Sequence, residues 1–289
     1  MDRLHRALHA LDGLSVGDAF GERFFGSGVV LIGARALPNA PWRWTDDTAM
    51  ALSVVEILQR HGRIDKDQLA LAFAKRWSEE PMRGYGSGAQ RILEAIHHGA
   101  PWWSVSRSAF GREGSKGNGA AMRVAPLGAW FADDLEATIS EARASAEVTH
   151  AHAEGIAGAI AVAVAAAGAH RGLRGRELLD FVVASTPDGE TREGITKAAR
   201  LEASSPIDHA VKELGNGSNV TAPDTVPFAL WAAAHHVDDF AHAMWVTVSG
   251  LGDRDTTCAI AGGVVAAAGT SLPADWLAAR EPLGVQWMP

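Results

Sequence analysis

The chain has 289 residues, of which 47% are hydrophobic, and a formal net charge of −8. This length fits one large domain or two ordinary ones, and the apolar fraction is sufficient for a substantial core. The acidic balance argues against nucleic acid as a partner, because a phosphate-binding surface requires an excess of basic residues.

The cysteine content and the apolar runs indicate the cellular compartment in which the protein is expected. The single cysteine, Cys258, allows no disulfide within the chain, which suits a reducing cytosol. The first residues lead into no apolar stretch of the signal-peptide kind. The longest apolar run, residues 156–168, is shorter than the roughly 20 residues that cross a bilayer. We therefore expect a soluble cytoplasmic protein with no membrane partner.

The composition predicts helices. Alanine and glycine are abundant, whereas the β-branched and aromatic runs typical of strands are scarce. A helical spacing of apolar residues runs from Leu4 to Leu14, and Gly17–Gly21 is expected to interrupt it. The Gly- and Pro-containing stretch that follows, up to Trp44, is expected to be loop. The further predicted helices are, in chain order, 46–60, 65–78, 88–98, 135–147, 151–170, 177–185, 191–203, 226–236, 239–249 and 257–268.

The segments between these helices contain no linker long enough to divide the chain. Gly111–Gly119 is expected to be the most flexible stretch, and Ala120–Arg123 to begin a helix or a short apolar segment. Residues 204–224 are polar and turn-rich, and 282–289 are expected to be irregular. Because no repeat period is visible either, we predict one all-α domain over residues 1–289.

Two acidic segments, Trp44–Thr48 and Asp253–Thr257, each open into a small-residue apolar stretch. Asp and Thr are favoured at helix N-termini, so both segments could be helix caps. Each carries two carboxylates as well as threonine, however, which is more than a cap requires. Grouping so many like charges in one dry site is costly unless a cation neutralises them. Oxygen-only ligands suit Mg²⁺ or Mn²⁺ rather than zinc, so a divalent metal centre is the alternative.

Five stretches, taken together and in this order, resemble the ADP-ribosylglycohydrolase family, which includes the dinitrogenase reductase-activating glycohydrolases. No single stretch is specific, but the combination spans nearly the whole chain. The stretches are Gly13–Gly21, Thr45–Thr48, Gly117–Arg123, Thr149–His152 and Gly252–Thr256.

The resemblance implies an all-α fold with two divalent cations, Mg²⁺ or Mn²⁺, in a central cleft. It also implies hydrolysis of an ADP-ribosyl glycosidic bond, with ADP-ribose or an ADP-ribosylated molecule as the bound partner. Such a bond breaks through an oxocarbenium-like state that nearby carboxylates, here Asp47 and Asp255, stabilise. By position, the implied metal ligands are Thr45, Asp46, Asp47, Asp253, Asp255 and Thr256.

A glycine-rich segment, Gly117–Gly119, precedes a predicted helix start. Its backbone N–H groups could cradle a diphosphate, or the segment could be an ordinary flexible loop. The resemblance favours phosphate binding, and it places His150 against the nucleotide side of the ligand. A histidine satisfied at a helix start is the alternative for His150. The implied ADP-ribose contacts in the loop are Gly117, Asn118, Gly119, Ala120 and Met122.

The chain departs from the family pattern at two positions. Many members carry a glutamate four residues after the first signature, where this chain has Phe25, and the nearest carboxylate is Glu22. Many also carry an aspartate where this chain has glycine, within Gly84–Gly88. If the loop is shifted in register, Glu22 serves as the catalytic carboxylate; otherwise that role is absent.

Three functions are therefore compared. The leading one is a metal-dependent hydrolase that releases ADP-ribose. The missing glutamate motivates the second, an ADP-ribose-binding pseudoenzyme, and the paired metals allow the third, a phosphohydrolase. The motifs are compatible with arginine, serine and O-acetyl linkages to ADP-ribose. They are also compatible with either Mg²⁺ or Mn²⁺.

Overall fold

The computed structural model describes residues 2–285, and within that range the fold contains α-helices, two 3-10 turns and isolated bridges but no strand. The prediction of an all-α fold is confirmed. The helices are α1 (Arg3–Glu22), α2 (Val30–Ala34), α3 (Asp46–His61), α4 (Lys66–Glu79), α5 (Ser87–His97), α6 (Trp102–Arg112), α7 (Ala125–Trp130), α8 (Leu135–Glu147), α9 (Ala153–His170), α10 (Gly175–Ser185), α11 (Glu190–Ala198), α12 (Ile207–Leu214), α13 (Ala222–His235), α14 (Phe240–Ser249), α15 (Arg254–Ala267) and α16 (Ala274–Ala279).

Several predicted boundaries follow from capping chemistry. Helix α3 begins after Thr45, whose hydroxyl accepts from the backbone N–H of Asp47, and ends at Gly62 with φ at +67°. Helix α4 begins after Asp65, whose carboxylate accepts from two backbone N–H groups. Helix α8 spans the predicted residues 135–147. These ends are local, so the sequence specifies them without tertiary information.

The predicted interruption of the first helix is wrong. Gly17–Gly21 does not interrupt it, because the helix continues to Glu22. Glycine is a poor helix former, but here it lets α1 approach α15 closely. A Cβ added at Gly17 would lie 2.1 Å from the carbonyl oxygen of Cys258. One added at Gly21 would lie 2.3 Å from the carbonyl oxygen of Arg254. Tertiary packing therefore overrides the local signal, and it carries Asp18 to the start of α15.

Other boundaries also differ from the predictions. The predicted loop before Trp44 contains the 3-10 turn Gly26–Val29 and helix α2, and the helices α6, α12 and α16 were not predicted. These helices are short, so the helical period is sampled over few residues. Helix α15 begins at Arg254 rather than at Thr257. In the tail, 282–285 is irregular as expected, whereas 286–289 lies outside the described residues.

Helix α9 passes through the centre of the fold. Its 18 residues have the length and apolar composition of a membrane span, so length alone does not support the expectation that this segment is too short to cross a bilayer. Of this helix, 83% is buried inside the fold, and its residues belong to one hydrophobic cluster that also includes residues of α1, α13 and α15. This burial is what a core helix shows.

Replacing Gly13 by alanine tests the α1–α15 contact away from the acidic segments. The added Cβ would lie 2.4 Å from the carbonyl oxygen of Gly262 and 2.3 Å from the Cβ of Ala266. We expect a loss of about 1–3 kcal/mol in the free energy of unfolding, the usual cost of overpacking, measured by urea denaturation. Gly33→Ala is the matched control, because nothing lies within 4 Å of its added Cβ. Equal stability of both variants and the wild type would contradict the close contact.

Candidate metal centre and substrate loop

The two acidic segments meet at the end of α1. One carboxylate oxygen each from Asp18, Asp47 and Asp255 lies within 4.8 Å of the other two. Asp47 is in the first turn of α3 and Asp255 in the first turn of α15. Two helix N-termini, which carry partial positive charge, therefore converge on the carboxylates.

Asp18 is the member of this cluster that the sequence did not assign. Its buried carboxylate accepts the backbone N–H of Thr45 at 2.9 Å and the Thr45 hydroxyl at 2.8 Å. It also accepts the backbone N–H of Thr48 at 3.1 Å and the Thr48 hydroxyl. These donors engage both of its oxygens, so Asp18 fixes the start of α3 relative to α1. The signature around Gly17 contained Asp18, but a single buried aspartate in a helix gives no sign of its partners.

Asp47 and Asp255 differ from Asp18 because each has an open oxygen. The Oδ1 atoms of both are buried and have no hydrogen-bond partner. An unpaired buried carboxylate oxygen is costly, and two of them beside a third carboxylate are more so. A divalent cation between these oxygens would satisfy both, so the residues present fit a hard cation.

Asp46, Asp253 and Thr256 lie around this cluster. Asp46 is half-buried, and its backbone N–H donates to the carbonyl oxygen of Arg83 at 2.7 Å. Asp253 is half-buried and accepts the side-chain amide of Asn118 at 2.7 Å. It occupies the N-cap position of α15 without making a side-chain cap hydrogen bond. Thr256 is buried. The capping interpretation therefore applies to Thr45, as described for α3, and not to Asp253.

The electrostatics of the cluster favour protonation when no cation is bound. Burial raises the pKa of Asp47 well above its usual value, and the Asp18 and Asp255 carboxylates add to this. Burial, and then Asp253 and Asp18, likewise raise the pKa of Asp255. The pKa of Asp46 rises to about 8 through burial and then Asp18. The carboxylates cannot all be ionised cheaply together, so a bound cation would compete with protons.

Glu22 lies one helical turn after Asp18 on α1, on the same face of the helix. Its side chain is exposed, and partial burial together with the Asp18 and Asp253 charges raises its pKa. Phe25, the residue at the family's glutamate position, packs its ring 4.9 Å from the guanidinium of Arg254. Glu22 therefore carries a charge that interacts with the carboxylate cluster, whereas Phe25 carries no charge.

The segment that carries the second departure, Gly84–Gly88, begins directly beside a candidate ligand. Gly84 has φ at +93°, and a Cβ added there would lie 3.4 Å from Oδ1 of Asp46. A carboxylate at this position would add another negative charge to the site. Glycine keeps this side of Asp46 free of a further charge.

The glycine-rich loop lies beside the second acidic segment. Asn118 is buried, and its amide donates to Asp253 and, at 3.0 Å, to the Thr225 hydroxyl. The side chains of Ala120 and Met122 are buried as well. Among the predicted loop contacts, Gly117 and Gly119 are half-buried. Any ligand contact of this loop is therefore made mainly through its backbone.

His150 packs against the same loop. A Cβ added at Gly117 would lie 3.3 Å from its Nε2, and one added at Gly119 would lie 3.2 Å from the same atom. Its ring is buried, and Nδ1 lies 2.7 Å from the Thr149 hydroxyl. The structure thus brings His150, the loop and the acidic segments into one region, with Asn118 joining the loop to Asp253.

Known proteins similar to this chain identify the family to which this all-helical fold, with its carboxylate cluster and glycine-rich loop, belongs. The family model for ADP-ribosylglycohydrolase matches residues 1–288. A solved structure described as an ADP-ribosylglycohydrolase-related protein complex covers 97% of this chain and 93% of its own, with a TM-score of 0.70 and 27% identity.

Two curated relatives are similar over most of the chain. ADP-ribosylhydrolase ARH3 of Gallus gallus is 28% identical and covers 78% of this chain and 69% of its own. ADP-ribosylarginine hydrolase Tri1 of Serratia proteamaculans is 24% identical and covers 96% of this chain and 75% of its own. The chain belongs to the ADP-ribosylglycohydrolase family. The predictions of the family and of an enzyme are confirmed.

The crowded carboxylates predict a stability that depends on both pH and metal. A carboxyl group whose pKa is raised by folding stabilises the fold fully at low pH and loses that contribution as pH rises through the folded-state pKa. In chelator, the free energy of unfolding should therefore fall from about pH 4 to about pH 8, the value near which Asp46 titrates. We expect Mg²⁺ to reduce this fall, measured by urea denaturation.

Asp47→Asn is the informative comparison, since it removes one of the crowded charges. It should flatten the pH dependence in chelator and lose the stabilisation by Mg²⁺. A wild type whose stability in chelator rises over this pH range would contradict the electrostatic account.

Proposed function

We propose that the protein is a divalent-metal-dependent hydrolase that cleaves the ADP-ribosyl glycosidic bond of an ADP-ribosylated protein or small molecule and releases ADP-ribose. The observation that carries this proposal is the pair of unpartnered buried oxygens on Asp47 and Asp255, beside the Asp18 carboxylate. Family membership supports the reaction class.

The metal ligands that we propose are those six residues of the two acidic segments that the sequence singled out. Two divalent cations, Mg²⁺ or Mn²⁺, would neutralise the carboxylates and would bind the ribose hydroxyls and a water molecule. Asp18 would position the α3 ligands rather than bind directly, because its oxygens already accept from Thr45 and Thr48. The proposed ligands are Thr45, Asp46, Asp47, Asp253, Asp255 and Thr256.

Glu22 is the group that we propose for proton transfer. A general acid or base works best when its pKa lies near the working pH, and the pKa of Glu22 is raised towards that range by partial burial and by Asp18. Its position on the Asp18 face of α1 supports this role, and so does its exposure, because the group must reach substrate and solvent. Asp47 and Asp255 would stabilise the developing positive charge on the ribose.

The glycine-rich loop would bind the diphosphate of ADP-ribose. Its half-buried glycines, Gly117 and Gly119, present backbone close to the His150 ring, where side chains would block a ligand. Asn118 would contribute its backbone while its side chain holds Asp253. The hydrogen bond from Asn118 to Asp253 would couple nucleotide binding to the metal centre.

The composition of the chain supports a location and a class of partner for the enzyme. A cytoplasmic location is supported by a single cysteine, Cys258, which is buried. The net charge of −8 supports a partner other than nucleic acid. The linkage that the protein cleaves is what the following assay would identify.

A product assay tests the proposed function. The protein would be incubated with arginine-, serine- and O-acetyl-linked ADP-ribose, in Mg²⁺ or Mn²⁺ and in chelator, and the products identified by chromatography. We expect intact ADP-ribose from at least one substrate, with its release abolished by chelator and by Asp255→Asn. Asp238→Asn, at an aspartate whose side chain is 83% exposed, should leave the rate unchanged.

Two results, one from this assay combined with calorimetry and one from the assay alone, would overturn the proposal. Tight ADP-ribose binding by calorimetry, with no turnover of any linkage, would identify a binding pseudoenzyme. Release of AMP or inorganic phosphate, instead of intact ADP-ribose, would identify a phosphohydrolase.

Glu22→Gln separates proton transfer from metal binding. Loss of a general acid or base costs about 10²–10⁴-fold in rate, so we expect kcat to fall at least about 100-fold while Mg²⁺ affinity is retained. Glu136→Gln, at an exposed glutamate on α8, is the matched control. Wild-type kcat in Glu22→Gln would remove this residue from the mechanism.

A further inference from the structure

Arg123 is a fully buried cation without an ion-pair partner. It is 0% exposed, and no carboxylate lies within salt-bridge distance of it among residues 2–285. Its guanidinium lies 4.3 Å from the centre of the Phe73 ring and donates to the carbonyl oxygen of Ser145 at 2.8 Å. Burial lowers its pKa to about 9. Burying such a group is costly, so the other contacts of the guanidinium matter.

Besides a contact of 3.6 Å between Nη1 and the Met50 sulfur, Arg123 makes one further hydrogen bond, with Thr149. Nη2 of Arg123 donates to the Thr149 hydroxyl oxygen at 3.0 Å. The direction is fixed, because a guanidinium has donors and no acceptor. The hydroxyl therefore accepts from Arg123 and keeps its own proton to donate. Its other hydrogen-bond partner within the described residues is Nδ1 of His150, at 2.7 Å.

Which atom donates in this second hydrogen bond is decided by the hydroxyl proton of Thr149, which requires an acceptor. If Nδ1 of His150 carried the proton, two donors would point at the Thr149 oxygen and the hydroxyl proton would have no acceptor. Thr149 is 0% exposed, so water cannot supply one. The hydroxyl must then donate to Nδ1, which leaves Nδ1 without a proton. Burial, with the Arg123 charge next in importance, lowers the pKa of His150 to about 3, so the ring is neutral.

We propose that Arg123, acting through Thr149, holds His150 in the neutral tautomer that carries its proton on Nε2, and so makes it a fixed hydrogen-bond donor to the ligand. Arg123 and Thr149 are positioning residues in this account. Nε2 faces the backbone of Gly117 and Gly119 and makes no hydrogen bond within residues 2–285. Its N–H is thus directed at the space beside the glycine-rich loop.

The ligand group that this donor fits is an oxygen that accepts, such as a diphosphate or ribose oxygen of ADP-ribose. The inference rests on the proposed function for the identity of that ligand. The tautomer itself is a property of the free protein. His150 would then bind and orient the ligand without exchanging a proton with it, since Nδ1 is occupied and the ring stays neutral.

Thr149 can be varied with little change in shape. Thr149→Val removes the hydroxyl and keeps the branched side chain, whereas Thr149→Ser keeps the hydroxyl. The tautomer would be measured by ¹⁵N NMR on protein labelled at histidine, with His150 assigned by its absence in His150→Gln. We expect an unprotonated Nδ1 and a protonated Nε2 in the wild type and in Thr149→Ser. In Thr149→Val the Nδ1 signal should shift towards the protonated form.

ADP-ribose affinity provides the second readout. A hydrogen bond to a charged group is worth enough that its loss weakens binding about tenfold or more. We expect this loss in Thr149→Val, measured by calorimetry, with kcat and Mg²⁺ affinity unchanged and with wild-type affinity in Thr149→Ser. If Thr149→Val does not fold, Thr149→Ala provides the same comparison.

Two results would overturn the inference. One is a wild-type His150 with its proton on Nδ1, and the other is a Thr149→Val protein that keeps both tautomer and affinity. Failure of the wild type to bind ADP-ribose would instead reject the proposed function and leave the tautomer measurement to stand by itself.

Discussion

The close approach of α1 and α15 is the contact on which the site depends. Gly13, Gly17 and Gly21 recur once per helical turn on α1, and backbone of α15 occupies the space that their side chains would need. Small residues at this spacing let two helix backbones come into close contact. Because of this contact, Asp18 in α1 lies next to Asp255 in the first turn of α15.

The same contact creates an electrostatic problem. Asp18 is satisfied by donors from Thr45 and Thr48, and this brings the start of α3 and its Asp47 into the same region. The fold thus concentrates carboxylates from three helices, and the raised pKa values of Asp47 and Asp255 express the cost. Proteins tolerate such clusters where a cation repays that cost, and strongly shifted pKa values mark functional sites for this reason.

Hydrogen bonds from buried side chains then orient the parts of the site that surround the carboxylates. Asn118 ties the glycine-rich loop to Asp253, and Arg123 directs His150 through Thr149. Both connections commit buried polar groups to a single arrangement, which is how a preorganised site is built. The glycine-rich loop is in this way tied to Asp253 on one side and packed against His150 on the other.

The sequence predicts this site in part. The acidic segments and the ends of α3 and α8 are recognisable because capping, charge grouping and helical period are local signals. Asp18 was missed, because its donors come from α3, 27 and 30 residues away in the chain. The continuity of α1 through Gly17 was missed for the same reason, since only contact with α15 explains glycine there. Pairing Glu22 with Asp18 required knowing that α1 continues, so the sequence could nominate Glu22 without placing it.

The most direct test of the account is diffraction from crystals grown with Mn²⁺ and ADP-ribose, recorded where manganese scatters anomalously. We expect anomalous peaks between the open oxygens of Asp47 and Asp255, with the ribose towards Glu22 and the diphosphate along Gly117–Gly119. Crystals that bind ADP-ribose with no manganese at these carboxylates would contradict the proposed metal centre.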